Sequence, residues 1–310
     1  MKWSMALLDR LFLLRPTLFF PIWIYFLAGL AGGGRFGRGA SDFIHPVAPA
    51  WIMTALTLLG GSVYILNQIR DRETDRLNGK LFLIANGMVD EKSAYLQAGV
   101  LATAALGAAF WIDLLLGFGF LTLFLITGML YNFPPTNWKN LPVPGLAVNA
   151  CGMMLVYDMG WVSGGGDQAF PVQAIAYGFG TAAVYCNTTL PDIKGDSRTG
   201  KITFGVRYGI RSTAVWALVF ETACAVTALV ADEMMLFIPS AAVLPLFAVA
   251  AARGKLPDSL RATKFSVLAL AASVCVRFPV TLAPIAAVFF LSRWYYSKRF
   301  GFDYPNFKAS

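Results

Sequence analysis

Long apolar runs broken by short polar stretches set the rhythm of the chain. Windows of roughly 17 to 25 mostly apolar residues, the length that crosses a bilayer as helix, begin near Leu11, Pro46, Ser93, Leu114, Pro142, Phe170, Ser212, Met234 and Phe265. None alternates apolar and polar positions as a barrel strand does, and an open sheet would leave unpaired backbone groups in hydrocarbon. The pattern predicts an all-α integral membrane protein of nine transmembrane helices, one domain over residues 1–310 with lipid around it. The first window contains Arg15-Pro16 and ends in no small-residue cleavage site, so it reads as a retained span and not a signal peptide.

The polar breaks carry the chemistry. Two are acidic: Asn67-Gln-Ile-Arg-Asp71-Arg-Glu-Thr-Asp75 at the end of the second window, and Asp192-Ile-Lys-Gly-Asp196 at the end of the sixth. A four-residue step advances a helix by about 400° and about 6 Å, so Asn67, Asp71 and Asp75 form one oxygen-rich stripe, as do Asp192 and Asp196 if their helix continues. Two such stripes facing each other suit Mg²⁺. That ion prefers hard oxygen ligands, keeps several waters and completes its octahedron with substrate phosphate oxygens. The implied substrate carries a diphosphate.

Both acidic segments are followed by a polar loop longer than most connections, and these loops are candidate lids. The shared order of helix, acidic stripe, basic loop and helix suggests pseudo-halves of roughly residues 1–140 and 141–310, with the site at their interface.

Composition agrees with the spans and adds an orientation. Hydrophobic residues make up 57% of the chain and charged ones 14%, far from the balance of a soluble domain. Eighteen of the 25 Lys and Arg fall in the segments on the side of the acidic stripes, which predicts that side to be cytoplasmic. The basic tail after the ninth window, with Arg293, Lys298, Arg299 and Lys308, is the misfit, because nine spans would put it outside. The net charge of +8 is mostly this loop bias and forms no stripe interleaved with aromatics, so nucleic acid is not an expected partner. Cys151, Cys186, Cys224 and Cys275 lie scattered in apolar windows without metal-type spacing and read as reduced packing residues. His45, in the outer loop, reads as solvated. Asp158, Glu221 and Arg277 lie inside windows, where an ionisable group is costly and tends to face the bundle interior. Asp158 is a possible site residue on that ground.

Taken together, the motifs resemble the UbiA superfamily of intramembrane aromatic prenyltransferases. Asn67-xxx-Asp71-xxx-Asp75 is similar to that family's first motif, and Asp192-xx-Gly195-Asp196-xxx-Gly200 to its second. Tyr131-Asn-Phe-Pro134-Pro135-Thr-Asn-Trp-Lys139 is similar to its Tyr-x-x-Pro-Pro-x-x-x-Lys segment. The order and spacing agree over nearly the whole chain. The resemblance implies a nine-helix bundle around a central cavity, in which two Mg²⁺ ions on the acidic motifs bind a polyprenyl diphosphate. It implies Asn67, Asp71, Asp75, Asp192 and Asp196 as metal ligands, and an acceptor alkylated within the membrane. Lys139, Arg198 and Lys201 are the cations expected on the diphosphate, and Tyr131 is a possible further member.

The chain also departs from the family. Many relatives follow the first motif with an Asn-Arg-Pro-x-x-Pro stretch, whereas here Asn78-Gly79-Lys80 runs into Leu-Phe-Leu-Ile. Relatives that alkylate homogentisate-like acceptors often have Lys-Asp before the Pro-Asp of the second motif, where this chain has Thr188-Thr189-Leu190-Pro191-Asp192. Asn137 stands where an Arg is usual. These changes leave the Mg²⁺–diphosphate half intact and leave the acceptor open. The expected activity is Mg²⁺-dependent transfer of a polyprenyl group to a cyclic or lipid-like acceptor with release of pyrophosphate. A terpene cyclase on the same scaffold and a cation-binding transporter are the alternatives.

Overall fold

The computed structural model describes residues 2–36, 48–79, 82–166 and 170–305. His45 and Lys80 lie outside them. The described residues form helices throughout. Helix α1 (Lys2–Phe12) turns at Arg15-Pro16 into α2 (Phe19–Phe36), and α3 (Ala48–Leu77) is followed by the short α4 (Phe82–Ala85). Next come α5 (Glu91–Ile112) and α6 (Leu114–Leu123), which continues as a π-helical stretch over Phe124–Leu130. The second half holds α7 (Pro142–Ser163), α8 (Val172–Thr188), α9 (Ile193–Arg198), α10 (Phe204–Val230), α11 (Met234–Arg253), α12 (Leu256–Arg277) and α13 (Leu282–Phe300).

Local chemistry sets several boundaries. The Asp90 carboxylate accepts from the Ser93 amide and starts α5, and Asp113 does the same for the Leu116 amide at α6, each satisfying an orphan N–H of a first turn. Gly254 and Gly301 close α11 and α13 in the left-handed conformation that a residue with a side chain resists.

Contacts fix the direction of each leg. Tyr64 and Gln68 of α3 bond the carbonyls of Leu18 and Leu13, and Ser62 bonds that of Ala98, so α2, α3 and α5 alternate in direction. Gly119 beside Met159 and Gly152 beside Thr127 set α6 against α7, and Gln173 on the Ala231 carbonyl sets α8 against α10. Cys224 with Ser240, and Ser273 on the Met235 carbonyl, carry the alternation through α11 to α12.

The packing is that of a bundle in lipid. On α5 the buried face is Ala94, Ala98, Ala102, Ala105 and Ala109, while Leu96, Val100 and Trp111 are exposed. Small residues inside and large apolar ones outside invert the soluble rule and match helix association where the solvent is itself apolar. The tightest seam joins the parallel pair α2 and α7. A methyl at Gly29 or Gly33 would run into the main chain at Tyr157 or Trp161, and one at Gly160 or Gly164 into that at Phe26 or Leu30. Each helix thus offers a Gly-xxx-Gly step to the other's backbone. Among the described residues, seven helices are long and apolar enough to cross a membrane by length and composition. The leg over Leu114–Leu130 and the 17-residue α8 are shorter, so the expected count of nine is not reproduced as such.

The C-terminal segment departs from expectation. Helix α13 adds a leg after the ninth window, and its end packs beside α1. Tyr295 stacks on Phe12 and donates to Asp9 at 2.6 Å, Arg299 holds both oxygens of Asp9, and Phe300 lies on Phe82. Lys298 and Arg299 therefore sit at the same end of the bundle as the acidic stripes, because one more leg reverses its parity; Lys308 lies outside the described residues.

Candidate active site

Helix α3 is 30 residues long, about 45 Å at 1.5 Å per residue, against a hydrocarbon core of about 30 Å. Its last turns extend past the apolar thickness, and there the first acidic stripe stands. The second stripe lies where α8 ends at Thr188. A 3₁₀ turn over Leu190–Asp192 leads into α9, and the chain crosses over the end of α3.

The two stripes meet directly. Asn78, just past the end of α3, donates from Nδ2 to Asp192 Oδ1 at 3.3 Å, and Thr74 of α3 and Thr199 share a hydrogen bond of 3.1 Å. Gly195 makes the approach possible, since a Cβ there would strike the Asn78 carboxamide. Asp196 is buried, its Oδ2 accepting from Thr203 at 3.0 Å and its carbonyl from the Lys201 amide at 2.9 Å.

Asp71 is the centre of charge. Lys139 Nζ lies 2.7 Å and Lys201 Nζ 2.5 Å from its Oδ1, and Lys201 is also 3.9 Å from Asp196. Both lysine side chains are nearly enclosed, at 6% and 12% exposure, unlike the solvated lysines that loop charge bias alone would place there. Burial holds the Lys139 ammonium below the ordinary lysine range, with Asp71 pulling the other way. Burial likewise lifts the Asp196 carboxyl above its ordinary range, opposed by Lys201 and Thr203. Lys139 is set by its own segment: its amide donates to the Tyr131 carbonyl at 3.1 Å, the Pro134–Pro135 peptide is cis, and the Asn140 carbonyl accepts from the Ile202 amide at 2.9 Å. That last bond ties the Lys139 segment to the Lys201 segment.

The structure brings together Asp71, Lys139, Lys201 and Asp196. Asp192 joins through Asn78, and Asp75 lies in the electrostatic field of Asp71, Asp192, Arg15 and Lys201. Asn67 joins from one turn back, bonded to Asn132 at 3.0 Å. Tyr131 lies beside Asn149 and Tyr185 and within the electrostatic reach of Asp71 and Asp196, so it borders the group. Two expected residues stand apart. Arg198 is exposed, and none of the ion pairs among the described residues includes it. Asp158 lies toward the opposite end of the bundle, where its carboxylate accepts from the Phe170 amide at 2.5 Å and ties the α7–α8 connection. Its burial in a span is a loop tether, a role that spacing alone does not reveal.

Sequence reasoning missed Asn78, Asn132, Thr74 and Thr203. Asn78 falls on the same helical face as Asn67, Asp71 and Asp75, so the period of the stripe was its signal. Thr203 and Asn132 reach the site through loop geometry and had none.

The donor set is oxygen only, four carboxylates and a carboxamide, which suits a hard cation. Among the described residues no three His, Cys, Asp or Glu converge closely enough to cage an ion. Paired carboxylates flanked by buried ammoniums suit an ion that completes its shell with water and phosphate oxygens.

Comparison with known proteins shows the family and the fold. The Bacteriochlorophyll synthase 34 kDa chain of Chloroflexus aurantiacus is 26% identical over 204 residues, covering 64% of this chain and 63% of that protein, less than two thirds of its length. Homogentisate phytyltransferase of Synechocystis sp. is 26% identical over 222 residues, covering 66% of this chain and 68% of that protein. In fold, the chain is similar to a UbiA homolog from Archaeoglobus fulgidus bound to GPP and Mg²⁺, with TM-score 0.64 and 19% identity over 90% of this chain and 99% of that one. The model of the UbiA prenyltransferase family matches residues 24–273, so both acidic stripes, Lys139 and Lys201 lie inside the match, and the chain belongs to that family.

Proposed function

We propose that this protein transfers a prenyl group from an isoprenyl diphosphate to a hydrophobic acceptor within the membrane and releases pyrophosphate. The observation that carries the reading is the convergence of Lys139 and Lys201 on Asp71 beside Asp196, two enclosed ammoniums among carboxylates at the end of an apolar bundle. A relative of the same fold described with GPP and Mg²⁺ supports it, as do relatives named for prenyl or phytyl transfer.

In this reading the allylic C–O bond breaks and its electron pair leaves with the diphosphate. A new bond then forms from the acceptor to the allylic carbon, and the acceptor loses a proton. Bound Mg²⁺ would supply charge stabilisation on the departing oxygens, held by Asn67, Asp71, Asp75, Asp192 and Asp196. Lys139 and Lys201 would turn from Asp71 to the diphosphate oxygens, their charge kept strong by the enclosed, water-poor setting. Asn78 and Thr74 hold the two stripes together so that one diphosphate can touch both. Positive charge in the loops puts this face on the cytoplasmic side.

The test is the purified protein with Mg²⁺ and geranylgeranyl diphosphate, with and without a panel of phenolic and chlorin-type acceptors, and mass spectrometry of the products. Acceptor-dependent prenylated product is expected. Cyclised hydrocarbon without acceptor, or no consumption of diphosphate with any acceptor, would overturn the reading.

A further inference from the structure

Asn132 stands next to Tyr131 in the segment that carries Lys139, and it is fully buried. Its setting is unusual because the helix before it is a π-helix over Phe124–Leu130. In a regular continuation the Asn132 amide would pair with the carbonyl of Gly128, or with that of Thr127 in π geometry. It bonds the Met129 carbonyl instead, at 3.2 Å, and the Asn132 side chain takes both abandoned carbonyls, Nδ2 to Thr127 O at 3.0 Å and to Gly128 O at 3.1 Å.

This pattern fixes the orientation of two carboxamides. Carbonyl oxygens only accept, so Asn132 must turn its NH₂ to them and has only Oδ1 left. Asn67 meets that oxygen with Nδ2 at 3.0 Å. With its nitrogen committed, Asn67 keeps its own oxygen for the other branch of the amide, and Asn67 stands on the helical face of Asp71 and Asp75. A flipped Asn67 would set oxygen against oxygen at Asn132 and turn N–H groups toward the site, which would repel a cation.

We propose that Asn132 is a positioning residue that holds the Asn67 carboxamide oxygen-first toward the cation–diphosphate site, making Asn67 a neutral oxygen ligand. The inference rests on the function proposed above. It concerns a residue outside the acidic motifs, and it gives the π-helical stretch a purpose: freeing two carbonyls to lock one side chain.

The test uses detergent-purified protein, with Mn²⁺ binding in the presence of inorganic pyrophosphate read by electron paramagnetic resonance. Loss of a residue that orients a metal ligand lowers metal affinity by about 10-fold to 100-fold, so Asn132→Ala should weaken Mn²⁺ binding by at least about tenfold. In the Asn67→Asp background that loss should vanish, because a carboxylate presents oxygen whichever way it turns, and in Asn67→Ala it should vanish because no ligand remains to orient. Equal loss in all three backgrounds would mean that Asn132 only supports the helix end, and unchanged binding in the Asn67 background would mean no role; either overturns the proposal. If Asn132→Ala does not yield folded protein, Asn132→Ser takes its place in each comparison. Asp71→Ala separates the two levels: wild-type binding there removes the cation–diphosphate site itself, whereas loss there with none in Asn132→Ala removes only the positioning role.

Discussion

Lys201 Nζ lies 2.5 Å from Asp71 Oδ1 across 130 residues of sequence, and this pair closes the second acidic segment onto the end of α3. Lys139 reaches the same oxygen from a third segment. Three stretches that are far apart in the chain thus share one carboxylate, and the charges there balance only in part. The proposed diphosphate with its Mg²⁺ ions would satisfy both signs at once.

If the two ammoniums serve the diphosphate, Lys139→Gln and Lys201→Gln should each weaken binding of inorganic pyrophosphate at fixed Mg²⁺. A charge-assisted hydrogen bond in an enclosed site contributes about 1.5 to 3 kcal/mol, so the expected loss is about tenfold to hundredfold, measured by calorimetry. Arg198→Gln is the control. Its side chain is exposed, and it should lose less than about threefold, the scale of a surface charge pair. A larger loss for Arg198 than for the lysines would reverse the assignment.

If the acidic stripes hold Mg²⁺, removing one of their carboxylates should affect turnover more than folding. Asp71→Ala and Asp192→Ala are expected to lower kcat by at least about a hundredfold, the scale on which an electrostatic stabiliser of developing charge acts. EDTA should abolish wild-type turnover and Mg²⁺ should restore it. The Asp71 variant also frees the largely enclosed Lys139 and Lys201 ammoniums from their partner, so its thermal midpoint is the necessary companion measurement. Near wild-type turnover in either variant at saturating Mg²⁺ would remove the two-stripe site.

Much of this site was legible because helical period is a strong local signal. Asn67, Asp71 and Asp75 sit four residues apart, and the structure keeps them on one helix. The second stripe was less regular. Asp192 ends a 3₁₀ turn and Asp196 lies in the short α9, so their shared side comes from a turn and not from continuous helix. Lys139 and Lys201 were found by motif and adjacency, and their shared partner was not foreseeable. Arg198 and Asp158 show the limit: adjacency to Asp196 does not say which way a side chain points, and burial in a span does not say what the buried group bonds. Asn78 was readable and went unread, one turn beyond Asp75 on the same face.

The seam between α2 and α7 should be intolerant of one added carbon. Gly160→Ala places a methyl against the Phe26 carbonyl, with main chain on both sides and no flexible side chain to give way. Overpacking of this kind costs about 1 to 3 kcal/mol. A lower thermal midpoint in detergent is expected, with Gly99→Ala on α5, where a Cβ meets nothing within 4 Å, as the neutral control. Equal midpoints for the two variants would show that the helices do not approach this closely.

The parity of the bundle gives the last prediction. A tail placed after nine crossings would lie opposite the acidic stripes, yet Arg299 holds Asp9 through contacts of 3.0 and 2.9 Å and Phe300 packs on Phe82, both on the side of α3's end. Helix α13 spans 19 residues, about 28 Å at 1.5 Å per residue, so its length matches the hydrocarbon core, although its charged end keeps it out of the seven apolar spans. Cysteine reporters test this in a Cys151→Ser background, since Cys151 is exposed and Cys186, Cys224 and Cys275 are buried. Ser197→Cys on α9 and Ser297→Cys near the end of α13 should react with an impermeant thiol reagent from one side of a sealed vesicle. Asp232→Cys and Val280→Cys, at the other ends of α10 and α13, should react from the opposite side. The excess of Lys and Arg predicts the first side to be cytoplasmic. Labelling of Ser297→Cys together with Asp232→Cys would mean that α13 does not cross, and the Arg299–Asp9 contact would then be absent from the protein in its membrane.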